Sequence, residues 1–264
     1  MVEAEHAQSE RVRAEAPPND HWKPFAESFK ADPHRTDDPL LSYLLQAVQP
    51  DDTVLDVGAG GGRLALPLAL KCHHVVAVEP SPSMGSVFLQ QSTEFGIENV
   101  SLVQARWEEA EVDPVDIVLC AHVLYVVRDI APFVRKMEDH ARRLVMVVLF
   151  GAPPQSQIHP LWQQVHDETR LRLPGLHEFG EVLKALDIDA RVDMLPSQPQ
   201  RGFENVQQAR DQLAERLFLA SGGDKIRRLE KLLPDVLEES DGLFRIRNVE
   251  PLAPGLVSWP RRQS

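Results

Sequence analysis

The residues of this chain best placed to do chemistry lie in one short run, Thr53-Val54-Leu55-Asp56-Val57-Gly58-Ala59-Gly60-Gly61-Gly62-Arg63. A β-branched, apolar stretch ends at Asp56 and Val57, and four glycines follow within five positions. Gly58 and Gly60 permit positive φ and remove the Cβ atoms that would hold a ligand away from the main chain. A helix expected from about Gly62 would aim N–H groups at a polar or anionic ligand. Asp56, Gly58, Ala59, Gly60 and Gly62 are therefore candidate binding residues. The pattern is not the dinucleotide fingerprint, because the third glycine of G-x-G-x-x-G falls on Arg63. Nor does a G-K-[ST] follow to make a phosphate-binding P-loop. About 20 residues on, Val75-Val76-Ala77-Val78 ends in Glu79, the place that receives a ribose in doubly wound sheets. One carboxylate there can accept from both vicinal hydroxyls. That second strand points to a nucleoside ligand.

These residues need a frame that brings strand ends together. Runs at 53–57, 74–79, 100–104, 116–120 and 144–150 are apolar almost without alternation, as strands covered on both faces must be. Helical patterns lie between most of them. Ser81 and Pro82 read as an N-cap and a first-turn proline, with Gly96 as the stop. Ile130, Phe133, Val134 and Met137 form another helical face, and Asp38-Pro39 opens an earlier helix. A short helix is expected over 22–29, further helices over 161–171 and 176–186, and a strand over 191–195. Alternating strand and helix predicts a doubly wound α/β domain. Two more helical patterns, from Val206 and from Ile226, have no place in a minimal parallel sheet. They predict a helical insertion over 196–241. Residues 21–195 and 242–264, the latter carrying strands near 243–247 and 255–259, then form the main domain. Residues 1–20, polar and ending in Pro17-Pro18-Asn19-Asp20, read as a mobile tail.

Composition narrows the function classes. The 264 residues are 43% hydrophobic and carry 28 basic against 40 acidic side chains, for a net charge of -12. That balance opposes a dominant role on DNA or at an anionic membrane surface. No apolar run approaches a membrane span or a secretion signal, so a cytoplasmic protein with reduced Cys72 and Cys120 is expected. Cys72-His73-His74 lacks a second ligand pair at zinc spacing, and no metal site is expected.

Over residues 45–150 the chain resembles the class I S-adenosylmethionine-dependent methyltransferases that act on small molecules. Three stretches carry the resemblance: Val54 through Gly62, Val76-Ala77-Val78-Glu79-Pro80-Ser81, and Asp116 through Asp129. It implies a Rossmann-like sheet of seven mostly parallel strands and S-adenosyl-L-methionine as cofactor. Asp56 and the loop 58–62 would face the methionine part, and Glu79 would hold the ribose. Pro80 and Met84 would flank the adenine, while Cys120, Ala121 and His122 would line the sulfonium side. One departure stands out. Arg106 occupies the place where this family often has an acid for the adenine amino group. Adenine would then be held by a backbone N–H near Trp107, by stacking on that indole, or by Arg106 over the ring; the indole is equally read as a core aromatic.

Methyl transfer asks little of side chains. Aligning donor and acceptor supplies roughly 7–11 kcal/mol in favourable cases, and a general base a further factor of about 10²–10⁴ when the acceptor must lose a proton. His122 is the base candidate, with Tyr125 sharing its wall; the competing reading is that His122 only shapes the pocket. Aromatic and aliphatic residues in the added helices predict a metabolite-sized methyl acceptor. A cofactor-binding protein without turnover and an RNA methyltransferase are the alternative functions. Oligomeric state and the acceptor atom are not legible.

Overall fold

The computed structural model describes residues 1–13, 19–197 and 202–261. The chain begins with helix α1 (Val2–Val12), and a 3₁₀ turn (Ala26–Phe29) precedes α2 (Pro39–Ala47). Then β1 (Thr53–Val57), α3 (Ala65–Ala69), β2 (His74–Val78), α4 (Pro82–Glu94), β3 (Val100–Val103), β4 (Val115–Ala121), α5 (Ile130–His140) and β5 (Ala141–Phe150) follow, with a helix between successive strands except from β3 to β4. There follow α6 (His159–His166), α7 (Leu176–Ala185), β6 (Arg191–Met194), α8 (Val206–Arg216), α9 (Asp224–Val236), β7 (Leu237–Ser240), β8 (Leu243–Ile246) and β9 (Pro254–Pro260).

Seven strands make one sheet in the order β3-β2-β1-β4-β5-β9-β6. Strands β1 to β5 run parallel, and β9 enters antiparallel between β5 and β6. In this register Val57 lies beside Val78 and Cys120, so the ends of β1, β2 and β4 share one edge. The order reverses between β1 and β4, which opens a crevice at that edge. Two apolar layers cover the sheet. Leu55, Val118, Val145 and Val147 pack with Phe133, Met137, Phe179 and Leu183 on one face. Val54, Ile117, Met146 and Val148 pack with Leu40, Leu44 and Phe88 on the other. No helix of the described residues is long and apolar enough to cross a membrane.

The capping residues act as their types require. Asp38 accepts from Leu41 N–H at the start of α2, and Ser81 from Met84 N–H at the start of α4. Four expectations need correction. The strand at 243–247 is not in the main sheet, because β8 pairs with β7 in a separate hairpin. The insertion has its own core, in which Leu161, Trp162 and Val165 of α6 join Leu213, Ile226, Leu229, Leu237 and Ile246. It therefore recruits a helix from before β6 and runs on through β8. The helix expected over 161–171 stops at Asp167, whose φ of 59° is left-handed.

The fourth correction concerns residues 1–20. Residues 14–18 lie outside the described residues, but Val2–Val12 form a docked helix rather than a mobile tail. Its anchor is polar, which hydrophobic patterning does not detect. Arg170 forms an ion pair with Glu5, with both side chains almost fully buried. It also donates to Gln8 Oε1 at 3.1 Å and Ser9 Oγ at 2.6 Å, and its guanidinium stacks 3.9 Å from the Trp162 ring centre. Removing one partner of such a buried pair costs about 3–5 kcal/mol, far more than a short polar helix gains elsewhere. Arg170→Met is thus expected to release α1. Amide hydrogen exchange will show residues 2–12 losing protection while β1 and β4 keep theirs; retained protection would refute the anchor.

Candidate cofactor crevice and active site

The glycine loop leaves β1 and closes onto β2. Gly58 N–H and Ala59 N–H both donate to the Val78 carbonyl, at 2.8 and 3.2 Å, and Gly62 N–H donates to the Ala59 carbonyl at 3.1 Å. Gly60 N–H donates to Glu79 Oε2 at 2.8 Å, while Glu79 Oε1 accepts from Ser81 N–H at 2.8 Å. These N–H groups are spent within the protein. The expected helix start at Gly62 is displaced to Ala65, and α3 has five residues. The loop is therefore not an anion cradle of the pyrophosphate kind.

Two glycines show what the loop makes room for. A Cβ on Gly58, whose φ is 76°, would lie 2.4 Å from Val123 Cγ2. Gly58→Ala is expected to cost about 2–4 kcal/mol through left-handed backbone and overpacking, read as a lower midpoint in urea unfolding. Gly60 has a φ of 57°, yet a Cβ there would meet nothing within 4 Å. Its Cα side faces open crevice, the space a ligand can take.

The crevice is acidic. Asp56 and Glu79 are both buried, at 3% and 5% exposed. Burial, and then the charge of Glu79, raises the Asp56 carboxyl to about 7, with Arg63 pulling it down. Its carboxyl has no hydrogen-bond partner among the described residues, whereas Glu79 has used only two of about four acceptor positions. Burial likewise raises Glu79, against its two backbone hydrogen bonds. Spent N–H groups and two carboxyls disfavour a phosphate and suit a cationic ligand with hydroxyls.

At the end of β4, His122 holds a φ of 61°, and its backbone N–H donates to the Val148 carbonyl at 2.8 Å. Its ring stacks on Phe150 with centres 4.4 Å apart. Nδ1 lies 3.1 Å from the Tyr125 hydroxyl, which accepts the Phe150 N–H at 2.7 Å. Burial, and then Arg63, lowers His122 to about 4. Burial raises the Tyr125 hydroxyl far above the phenol range. Arg63 thus acts electrostatically on both Asp56 and His122. It is tied to Asp38 at 3.1 Å, and Arg35 joins the same carboxylate at 2.9 Å.

A model of a methyltransferase domain matches residues 54–143, the stretch that carries the glycine loop, Glu79 and His122. A ubiquinone biosynthesis O-methyltransferase of Rickettsia akari is 24% identical over 181 residues, covering 60% of this chain and 70% of that protein. For two further relatives of that name the match spans about half of their length. A probable ribosomal RNA small subunit methyltransferase A of Methanosphaera stadtmanae is 31% identical over 77 residues, 28% of each chain. Among solved structures, the YcgJ protein of Bacillus subtilis shares the fold with a TM-score of 0.58 at 19% identity, over 85% of this chain and 98% of that one. Residues 54–143 are a methyltransferase domain, set in a sheet with the Rossmann-like methyltransferase fold.

In this methyltransferase the structure gathers Asp56, Gly58, Ala59, Gly60, Gly62, Glu79 and Arg63 around the crevice. Pro80 is exposed beside it, and Met84 is buried under Ala26 and Val87. Two expected positions, Trp107 and Cys120, fall elsewhere. Trp107 is a core aromatic: its Nε1–H donates to the Phe133 carbonyl and its ring meets Phe133 and His140 edge-on. Its indole face is covered by Lys136, 4.6 Å away, so it is not free to stack on adenine. Arg106 is exposed. The Cys120 side chain is fully buried in the core, and its thiol is raised by that burial, then by Asp56; Ala121, one residue on, is only half-buried. Among the described residues no group of three His, Cys, Asp or Glu could hold a metal ion.

Sequence reading missed Asp20. Its carboxylate accepts from Ser81 Oγ at 2.8 Å and Ser83 N–H at 2.9 Å. Against the opposing effect of burial, these bonds hold it at about 2. It pins the 20–29 segment over the first turn of α4. No local pattern could reveal it, since its partners stand 61 and 63 residues away.

Proposed function

We propose that this methyltransferase carries a methyl group from S-adenosyl-L-methionine to a small organic acceptor. The buried, unpartnered Asp56 carboxyl beside Glu79 carries the reading: it suits a ligand with cationic groups and a ribose. Glu79 would take the two ribose hydroxyls on its remaining lone pairs. Gly60 would let the methionine part lie against the main chain, and Asp56 would face its positive charge. When bound, S-adenosylmethionine supplies an electrophilic methyl carbon, whose bond to sulfur breaks as the acceptor's electron pair forms the new one. The chain's task is alignment and exclusion of water.

A cavity of about 540 Å³ next to Tyr125 is our choice for the acceptor. It is walled by Leu124, Ile130, Leu149, Phe179 and Val182, with Arg128, Asp129 and Glu178 adding charge, and bordered by the first residues of α1. That size and lining fit a metabolite. The names of the Rickettsia relatives favour an oxygen acceptor. The net charge of -12 counts against RNA, whose binding rests on phosphate contacts.

Calorimetry against S-adenosylmethionine, S-adenosylhomocysteine and NADH tests the proposal. Binding of the first two and not the third is expected. NADH binding without S-adenosylmethionine binding would overturn it, and cofactor binding without turnover of any acceptor would favour the silent cofactor-binding protein.

A further inference from the structure

We propose that Tyr125 is a positioning residue that fixes His122 as the Nε2–H tautomer, so that His122 offers the crevice a hydrogen-bond donor rather than a base. The argument is a proton count. The Tyr125 oxygen already accepts the Phe150 N–H at 2.7 Å, and the ring is buried, at 6% exposed. Its own O–H must find an acceptor, and His122 Nδ1 stands 3.1 Å away. Were Nδ1 protonated, the phenol oxygen would face two N–H donors and its proton would be left without a partner in the core. A neutral imidazole that accepts at Nδ1 carries its proton on Nε2.

The surroundings keep the ring in this state. Phe150 stacks on one side, Tyr125 lies nearly parallel at 6.3 Å, and the backbone is held left-handed by the Val148 hydrogen bond. Of the charged groups, Arg63 acts on His122 and disfavours the imidazolium, in the same direction as burial. A strained backbone held by its neighbours at a strand end is a common mark of a functional side chain.

The consequence for substrate class rests on the proposed methyl transfer. A ring that donates cannot remove the acceptor's proton. The acceptor oxygen must then arrive as its anion, as a phenol or enol of low pKa does, having lost its proton to solvent. If the acceptor reaches from the cavity beside Tyr125 past that ring into the crevice, an Nε2–H would hold its anion by a charge-assisted hydrogen bond. An unactivated alcohol would not react.

Nitrogen-15 NMR of the full chain with labelled histidine decides the tautomer, the His122 signals being assigned by their loss in His122→Asn. A pyrrole-type Nε2 and pyridine-type Nδ1, unchanged between pH about 6 and 8 where a free histidine titrates, are expected. Tyr125→Phe should turn this into a mixture of tautomers. A pyridine-type Nε2 or an imidazolium at neutral pH in the unaltered protein would overturn the proposal, whether or not Tyr125→Phe folds. The substrate class is read by titrating 4-nitrophenol into the chain with S-adenosylhomocysteine present. Binding as the yellow phenolate, with its apparent pKa lowered, supports it; binding as the neutral phenol, or none, refutes it. Failure to bind S-adenosylhomocysteine would defeat the methyl-transfer reading and leave the tautomer result standing.

Discussion

Replacing Glu79 by alanine is expected to weaken S-adenosylhomocysteine binding by roughly 10- to 150-fold, the equivalent of about 1.5–3 kcal/mol for hydrogen bonds to a charged group. Two effects add. The ribose hydroxyls lose their acceptor, and the N–H groups of Gly60 and Ser81 lose the carboxylate that joins the glycine loop to β2. Glu79→Gln should fall between, because an amide keeps one acceptor oxygen and cannot serve both N–H groups. Calorimetry on the three proteins at one pH gives the comparison. Equal affinities would remove Glu79 from the ribose site.

The second large effect is the pH dependence set by Asp56. Its folded-state pKa, about 7 from a usual 3.8, is raised mainly by burial and then by Glu79. The sign follows from linkage. The folded protein holds this proton more tightly than the unfolded chain, so the contribution to stability is fully present below about 3.8. It is lost as pH climbs through about 7. Without ligand, the melting temperature should therefore fall between pH about 4 and 7, and Asp56→Asn should flatten that fall. Binding of a cationic ligand runs the other way. It favours the carboxylate, so affinity should rise through pH about 7 and one proton should be released on binding in the lower part of that range. Calorimetry in two buffers of different ionisation enthalpy counts that proton. A pH-independent affinity would show that Asp56 does not face the ligand's charge.

What the sequence disclosed and what it hid divide along the range of the interactions. The five parallel strands are legible because each is apolar on both faces, and the glycine loop because its turn is made by its own residues. Glu79 is legible because its distance from the loop is set by one strand-helix-strand passage. Trp107 is not, since a buried indole and an adenine platform look alike until Phe133 and His140 are placed around it. Cys120 suffers from the same lack of alternation that reveals β4: a strand covered on both faces gives no sign of which residue turns outward at its end. The docking of α1 depends on Glu5, Gln8 and Ser9 meeting Arg170, over 160 residues away. Membership of α6 in the insertion core and the pairing of β8 with β7 are likewise decided by tertiary contact.

The place of β9 bears on how the protein is made. Among the described residues, strand β6 is attached to the sheet only through β9, and β5 has no other neighbour on that side. On the ribosome, everything up to Met194 can emerge and fold its parallel half while that flank of β5 stays bare. The sheet closes when residues 254–260 pair with β5 and give β6 its partner, after the whole helical insertion has been synthesised. Until then β5 is an open edge able to recruit strands from other nascent chains, and the late arrival of seven residues decides whether the crevice rests on a finished floor.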